Sequence, residues 1–379
     1  MHVHFIAIAG TGMGSLAGLL KSRGHRVTGS DEGVYPPMSE ALARWGIPVS
    51  PGFRAEHVLR EPPELVVIGN AVRPDNPEAR AALEAGLAHR SFPDALAELA
   101  IGDKHAVVVT GTHGKTTTAS LIATLLLEAG RDPSLLVGGI AANFDGSFRD
   151  GGGPEFVVEG DEYDTAFFDK TPKFLHYRAQ TCVLTSIEFD HADIYRDLAH
   201  VQGEFRKLVR SLPPSGTLIA AAGDPRVAEV AAEASCAVRP YRVERPGPGL
   251  SAEALEVGPA GTHFELRVDG APGPRAFLPM HGRHNVANAL AALAVLESRG
   301  VPLEAAAAAL SAFRGVRRRQ ELRGEARGVL VIDDFAHHPT AVRETLAGLR
   351  GRFPERRLFA VFEPRSNTSR RAVFQQSYA

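Results

Sequence analysis

Cysteine is almost absent: Cys182 and Cys236 are the two in 379 residues. They show no metal-type spacing, and two cysteines cannot staple a chain this long. A reducing, cytoplasmic setting is the simplest expectation. An excess of charge of one sign is also missing, with 42 Lys and Arg against 44 Asp and Glu and a net charge of −2. A nucleic-acid partner needs a basic face, so none is expected. No run approaches the ~20 apolar residues of a membrane span. Met1 to Gly14 lacks the basic start of a signal peptide, so no membrane partner is expected either. Repeats and low-complexity tracts are absent, and nothing in the sequence fixes an oligomeric state.

What remains is an ordinary globular composition, 44% hydrophobic and 23% charged, in a chain long enough for two or three domains. The 38 glycines and 26 prolines suit many short loops. Strand and helix signals alternate, which predicts α/β units with parallel sheets. Val3–Ala9 reads as a strand, followed by a helix from about Ser15 to Ser22. Further strands are expected at His25–Gly29 and Leu65–Ile68. A second start comes at about Lys104, with a strand at His105–Thr110 and a helix at Thr117–Ala129. Phe156–Val158 and Thr181–Thr185 read as strands of the same sheet. Residues 243–275 suggest an antiparallel excursion. Helices are expected at Asn285–Ser298 and Leu303–Ala312. A third start near Leu322 has strands at Val329–Ile332 and Leu358–Phe362 around a helix at Pro339–Leu349.

A strand, then Gly111-Thr112-His113-Gly114-Lys115-Thr116-Thr117-Thr118, then a helix is the context of a phosphate loop. The glycines let backbone N–H groups turn toward an anion, and the helix start adds partial positive charge. Lys115 can reach the β/γ-phosphates, and the Thr116 or Thr117 hydroxyl can ligate Mg²⁺. Val109 stands where the common motif has its first glycine, so the match is partial. The Phe156–Val158 strand runs into Glu159-Gly160-Asp161-Glu162-Tyr163-Asp164. The next strand ends near Ser186-Ile187-Glu188-Phe189-Asp190-His191. Ligands of open α/β sheets sit at the carboxyl ends of strands. Both clusters therefore stand where a cation beside the loop would be held.

Gly10-Thr11-Gly12-Met13-Gly14 follows the first strand, and Asp31 ends the second. The pattern is near a dinucleotide fingerprint, but Ser15 occupies the place of its third glycine. The turn alone fits NAD, a UDP-sugar or a plain strand–helix turn.

Gly111–Thr118 taken with Glu159 and Asp190-His191 resembles the Mur ligase family, ATP-dependent amide-forming enzymes of peptidoglycan synthesis. Three further stretches are similar and come in family order. They are Gly282-Arg283-His284-Asn285 with Asn288, Arg318-Arg319, and Asp333-Asp334-Phe335-Ala336-His337-His338-Pro339-Thr340. The resemblance implies a three-domain architecture. Residues 1–101 would be a Rossmann-like UDP-sugar-binding domain and 102–320 a central P-loop ATPase-like α/β domain. Residues 321–379 would start a Rossmann-like C-terminal domain, under half the family's usual size and apparently incomplete.

The resemblance further implies ATP and Mg²⁺ as cofactors. Lys115, Glu159, His191 and Arg319 would be catalytic, and Thr116, Glu159 and His191 would hold the metal. ATP would meet Gly111 to Thr117, Asn285, Asn288, Arg319 and Asp334. The UDP-sugar would meet Gly10 to Gly14, Ser30, Asp31 and Asn70. His284 and His337 are carried by adjacency alone.

Several stretches resemble the branch that recycles murein tripeptide. These are Gly29-Ser30-Asp31 with Val34 to Ser39, Asp161 to Lys170, Glu188 to Ile194 and Glu363 to Thr368. The implied reaction joins UDP-N-acetylmuramate to L-Ala-γ-D-Glu-meso-diaminopimelate. The alanine-adding branch is the nearest alternative; an NAD-dependent oxidoreductase and a non-catalytic UDP-sugar binder are others. Several family members carry a carbamylated lysine about 14 residues after the motif histidine. Here Phe205 holds that place and Lys207 is out of helical phase, as in the alanine-adding and recycling branches.

Overall fold

The computed structural model describes residues 1–379 except 193, 365–368, 371–373 and 379. Asp193 and Arg365–Thr368, part of the family resemblance, lie outside the described residues. Five parallel strands form the first sheet: β1 His2–Ile6, β2 Arg26–Asp31, β3 Val49–Pro51, β4 Leu65–Ile68 and β5 His89–Ser91. Their order is β3-β2-β1-β4-β5, with the turn back at β1 and β4. The helix after β1 runs over Thr11–Ser22, so it begins at the glycine turn, earlier than the periodicity indicated. Apolar residues on both faces of β4 explain why that short run is buried throughout, whereas β1 leaves His2 half-buried and pairs His4 with Glu78.

Ten strands form the second sheet. Its parallel centre is β6 His105–Thr110, β9 Glu155–Gly160, β12 Thr181–Leu184, β13 Thr217–Ala221 and β14 Ala237–Val243. On one side stand β7 Ser134–Ala141 and β8 Gly146–Arg149, an antiparallel hairpin whose β7 pairs parallel with β9. On the other, β15 Leu250–Gly258, β16 Gly261–Val268 and β17 Ala271–Leu278 extend the sheet as an antiparallel meander, the excursion expected for 243–275. A separate hairpin, β10 Asp164–Ala166 and β11 Asp169–Pro172, projects beyond β9.

The Lys115–Glu128 and Arg283–Ser298 helices are buried along nearly their whole length. Both are rich in Ala, Leu, Thr or Val and carry no polar stripe, as befits helices packed on one another and on the sheet. One apolar cluster also bridges the two sheets. It runs from Val3, Phe5 and Leu16 to Val108, Phe156 and Phe174. The Thr11–Ser22 helix lies on the β7–β8 hairpin, where Ser15 Oγ meets Ser147 Oγ at 2.6 Å. Gly18 permits that approach, since a Cβ there would stand 2.6 Å from the Phe148 ring and 2.8 Å from Trp45.

The third part has the expected first strand and helix but not the expected second strand. Val329–Asp333 forms β19, paired antiparallel with β18 Glu321–Ala326 as a two-stranded ribbon. Leu358–Phe362 is not a strand: Phe359 is 77% and Val361 99% exposed. A strand needs a neighbour to take its N–H and C=O groups, and no strand among the described residues pairs with this run. The Pro339–Arg352 helix is present and begins on a His338 cap.

Candidate active site

The β6 strand delivers Gly111 to the carboxyl edge of the second sheet. Gly111 takes φ +118° and Gly114 φ +81°, so both need the left-handed freedom of glycine. Space is the second constraint. A Cβ on Gly111 would sit 2.3 Å from Thr185 Oγ1, and one on Gly114 2.5 Å from Asn288 Oδ1. The Thr185–Glu188 segment clamps the loop from below. Thr185 Oγ1 donates to the His113 carbonyl at 2.6 Å, His113 N donates to Ser186 Oγ at 3.0 Å, and Glu188 N donates to Thr112 Oγ1 at 2.8 Å. The outcome is a rigid cradle at the start of a 14-residue helix.

Parallel pairing of β6 with β9 places Glu159 opposite Val109, one residue before the end of each strand. Glu159 accepts from Thr116 Oγ1 at 3.0 Å and from Gly138 N at 2.6 Å. Burial and the neighbouring Asp161 push its carboxyl up to about 7. Two acids crowded beside a threonine hydroxyl form a place where a hard cation relieves repulsion. The residues thus fit both an anionic phosphate and a divalent ion.

Lys115 donates to the Gly111 carbonyl at 2.8 Å and to Glu162 Oε2 at 2.7 Å. Burial works to lower the ammonium pKa, but Glu162 and Asp161 outweigh it and the pKa is raised. Burial likewise works against the charge on Glu162, yet Lys115 and His191 bring it down to about 2. His191 Nε2 stands 3.5 Å from Glu162 Oε1. Burial would lower its pKa, but the Glu162 hydrogen bond raises it. Glu162 is therefore the hub joining the loop lysine to the motif histidine. From sequence, Glu162 is one acid of the run and Glu159 alone is expected at the site. The acidic run alone carries no signal that separates Glu162 from Asp161 or Asp164.

Asn285 and Asn288 lie on the buried Arg283–Ser298 helix. Asn285 Nδ2 donates to the His281 carbonyl at 2.8 Å, and Asn288 Nδ2 to Asn285 Oδ1 at 3.2 Å. Asn288 thereby abuts the loop at Gly114. Arg319 stands over the Phe335 ring at 5.3 Å. Asp334 accepts from Gln320 N at 2.8 Å and Ala336 N at 2.7 Å, so its carboxylate organises the boundary turn. Of the adjacent histidines, His338 and not His337 reaches the loop, its ring 4.6 Å from that of His113. His284 is half-buried, and burial lowers its pKa.

The first-sheet residues gather at that sheet's own carboxyl edge. Gly10 caps the Thr11–Ser22 helix with open space around its Cα, and Thr11 is exposed. Gly12 faces Phe92, while Gly14 serves packing, because a Cβ there would meet Met38 Sδ at 2.2 Å. The Met13 and Ser30 side chains are buried. Asp31 accepts from Ala9 N at 2.9 Å and Gly33 N at 3.1 Å, so its carboxylate braces the turn and does not stand free as in a dinucleotide fingerprint. Asn70 and Arg73 face Tyr163, Lys170, His191 and Ile194 across a cleft of about 540 Å³. That cleft runs from the first sheet's edge to Tyr163, Asp164 and His191 at the carboxyl edge of the second. Phe205 is buried and stacks on Phe174 at 5.4 Å, while Lys207 pairs with Glu204 on the surface. Neither offers an amine at this site.

Residues 2–104 match the Mur ligase family catalytic domain, 109–296 the Mur ligase middle domain, and 318–377 the Mur ligase glutamate ligase domain. The UDP-N-acetylmuramate–L-alanyl-γ-D-glutamyl-meso-2,6-diaminoheptandioate ligase of Escherichia coli is 42% identical over 380 residues, covering 100% of this chain and 82% of that protein. The UDP-N-acetylmuramate–L-alanine ligase of Salinibacter ruber is 39% identical, covering 96% of this chain and 74% of that protein. The crystal structure of a murein peptide ligase from Psychrobacter arcticus is 38% identical with a TM-score of 0.82, covering 97% of this chain and 80% of that one. With three family models in order along the chain and relatives of this identity over its length, the protein belongs to the Mur ligase family.

Proposed function

We propose that this protein is an ATP- and Mg²⁺-dependent ligase. It joins the lactyl carboxylate of UDP-N-acetylmuramate to the free amine of L-Ala-γ-D-Glu-meso-diaminopimelate. The observation that carries this reading is a chain of contacts, in which Lys115 meets Glu162, Glu162 meets His191, and His191 lines the cleft. The phosphate loop, the Glu159–Glu162–His191 cluster and the cleft walled by Asn70 and Arg73 adjoin one another. The tripeptide acceptor is favoured over free L-alanine by the 42% identical relative whose name specifies it.

The muramate carboxylate oxygen attacks the γ-phosphorus of ATP, the bond to the β-phosphate oxygen breaks, and ADP leaves. The amine then attacks the acyl carbonyl, loses a proton, and inorganic phosphate departs with the C–O electron pair. The chain's work is positioning and charge compensation. Backbone N–H groups of Gly114 and Lys115, at the helix start, cradle the phosphates, while those of Thr112 and His113 hold the loop to Ser186. Lys115 exchanges its contact with Glu162 for the γ-phosphate. Thr116, Glu159 and His191 would hold Mg²⁺, whose charge would offset the converging anions. Asn288 keeps the loop in shape, and Arg319 approaches from the boundary with the third part, over Phe335.

The test is phosphate release from ATP with Mg²⁺ and UDP-N-acetylmuramate, run with tripeptide and with L-alanine as separate acceptors. Tripeptide-dependent release is expected. Release with L-alanine alone would reassign the acceptor, and release with neither would remove the ligase reading. UDP-N-acetylmuramate binding without turnover on either acceptor would favour a non-catalytic binder.

A further inference from the structure

One polar cluster is not used by the mechanism above. It joins His113 of the loop, Glu188 beyond β12 and His338 at the cap of the Pro339–Arg352 helix. His113 Nε2 lies 2.8 Å and His338 Nδ1 3.3 Å from the same Glu188 oxygen, and the three ligand atoms are all within 4.8 Å of one another. The bonding pattern fixes one tautomer. His338 Nε2 lies 3.3 Å from the Phe189 carbonyl, to which it can only donate. Nδ1 receives the long 3.3 Å contact from Thr340 N, so it carries a lone pair. The same Nδ1 stands 3.3 Å from the Glu188 oxygen that His113 Nε2 meets, so a small turn of the ring brings three donor atoms onto one point.

We propose that His113 Nε2, the Glu188 carboxylate and His338 Nδ1 form a binding site for a divalent transition-metal ion of the Zn²⁺ class, separate from the Thr116–Glu159 pair. Two imidazoles and one carboxylate are a borderline-soft donor set that favours such an ion over Mg²⁺. Bonds of roughly 2.0–2.2 Å in a tetrahedral site put ligand atoms a little over 3 Å apart, so only small side-chain rotations are needed. The Phe189 carbonyl supplies the outer contact that holds a ligating imidazole in place. Arg226 stands 3.7 Å from the other Glu188 oxygen and orients the carboxylate. Occupancy would tie the phosphate loop to the start of the third part. The inference does not depend on which acceptor the ligase uses.

The full chain, stripped of metal, is titrated with Co²⁺ in excess Mg²⁺ while its visible absorption is followed, and Zn²⁺ is then used to displace it. A tetrahedral Co²⁺ spectrum saturating at one ion per chain is expected. His338→Asn, which keeps a capping oxygen, and Glu188→Gln should each weaken binding at least tenfold, with folding checked by circular dichroism. Either folded variant decides the matter. Absence of the spectrum in the unaltered chain, unchanged affinity in a folded variant, or displacement of Co²⁺ by Mg²⁺ would overturn the proposal.

Discussion

Replacing Gly114 by alanine tests whether the loop is held by shape as well as by chemistry. Gly114 has φ +81°, and an L-residue there costs roughly 1–2 kcal/mol. The new methyl group would lie 2.5 Å from Asn288 Oδ1, so the amide must rotate away. Rotation breaks the 3.2 Å bond from Asn288 Nδ2 to Asn285 Oδ1, a loss of about 1 kcal/mol. Together these give about 2–3 kcal/mol, or a fall in Tm of roughly 5–10 °C for a unit of about 200 residues. A double-mutant cycle separates the two parts. Asn288→Ala removes the obstacle but leaves the backbone strain, so Gly114→Ala should cost about 1 kcal/mol less in that background. Urea melts of the four proteins measure the coupling. Additivity within about 0.5 kcal/mol would refute the contact, and an unshifted Gly114→Ala melt would refute the strain as well.

Lys115→Ala should lower kcat/KM at least ~100-fold by removing charge stabilisation at the transferring phosphoryl group, measured by phosphate release. Full turnover would end the phosphate-loop argument. Glu159 gives a pH signature in protein free of divalent ions. Its folded value of about 7 lies above the usual 4.5, so it contributes stability below pH 4.5 that is lost as pH rises through 7. Glu159→Gln should therefore gain on the unaltered chain between pH 5 and 8 in denaturant melts. A constant difference across that range would contradict the shift. In the first sheet's layer, Glu78 is fully buried and meets His4 Nε2 at 2.6 Å and His57 Nδ1 at 3.1 Å. Glu78→Ala should cost about 3 kcal/mol in urea melts, and a loss below about 1 kcal/mol would show that the histidines find other partners.

Much of the molecule was legible along the chain because its determinants are local. The Val-rich strand of β6, two glycines and a lysine specify a strand–cradle–helix unit without help from distant residues. The same holds for Leu65–Ile68, where four apolar residues sit between turn signals. Motif order carried the family, since Gly111–Thr118, Glu159, His191, Asn285 and Asp334 are read without knowing their positions in space. Boundaries drifted where capping replaced periodicity, as at Thr11, where a glycine turn starts the helix before its first apolar residue.

Tertiary structure decided the partnerships. Nothing in the sequence distinguishes Glu162 from Asp161 or Asp164. Only the parallel register of β6 and β9 turns Glu162 onto Lys115, with His191 on its other oxygen. Asp31 stands where a dinucleotide fingerprint has its acid, yet two backbone N–H groups occupy it. His338 outranks His337 because the helix cap aims it at Glu188. Leu358–Phe362 has strand composition and is not a strand, since a strand is a property of a pair. The sequence by itself determined the local units and the chemistry they can carry. Which charges meet, and which hydrogen bonds are already taken, depended on residues far apart in the chain, whose burial beside one another sets the energy of each contact.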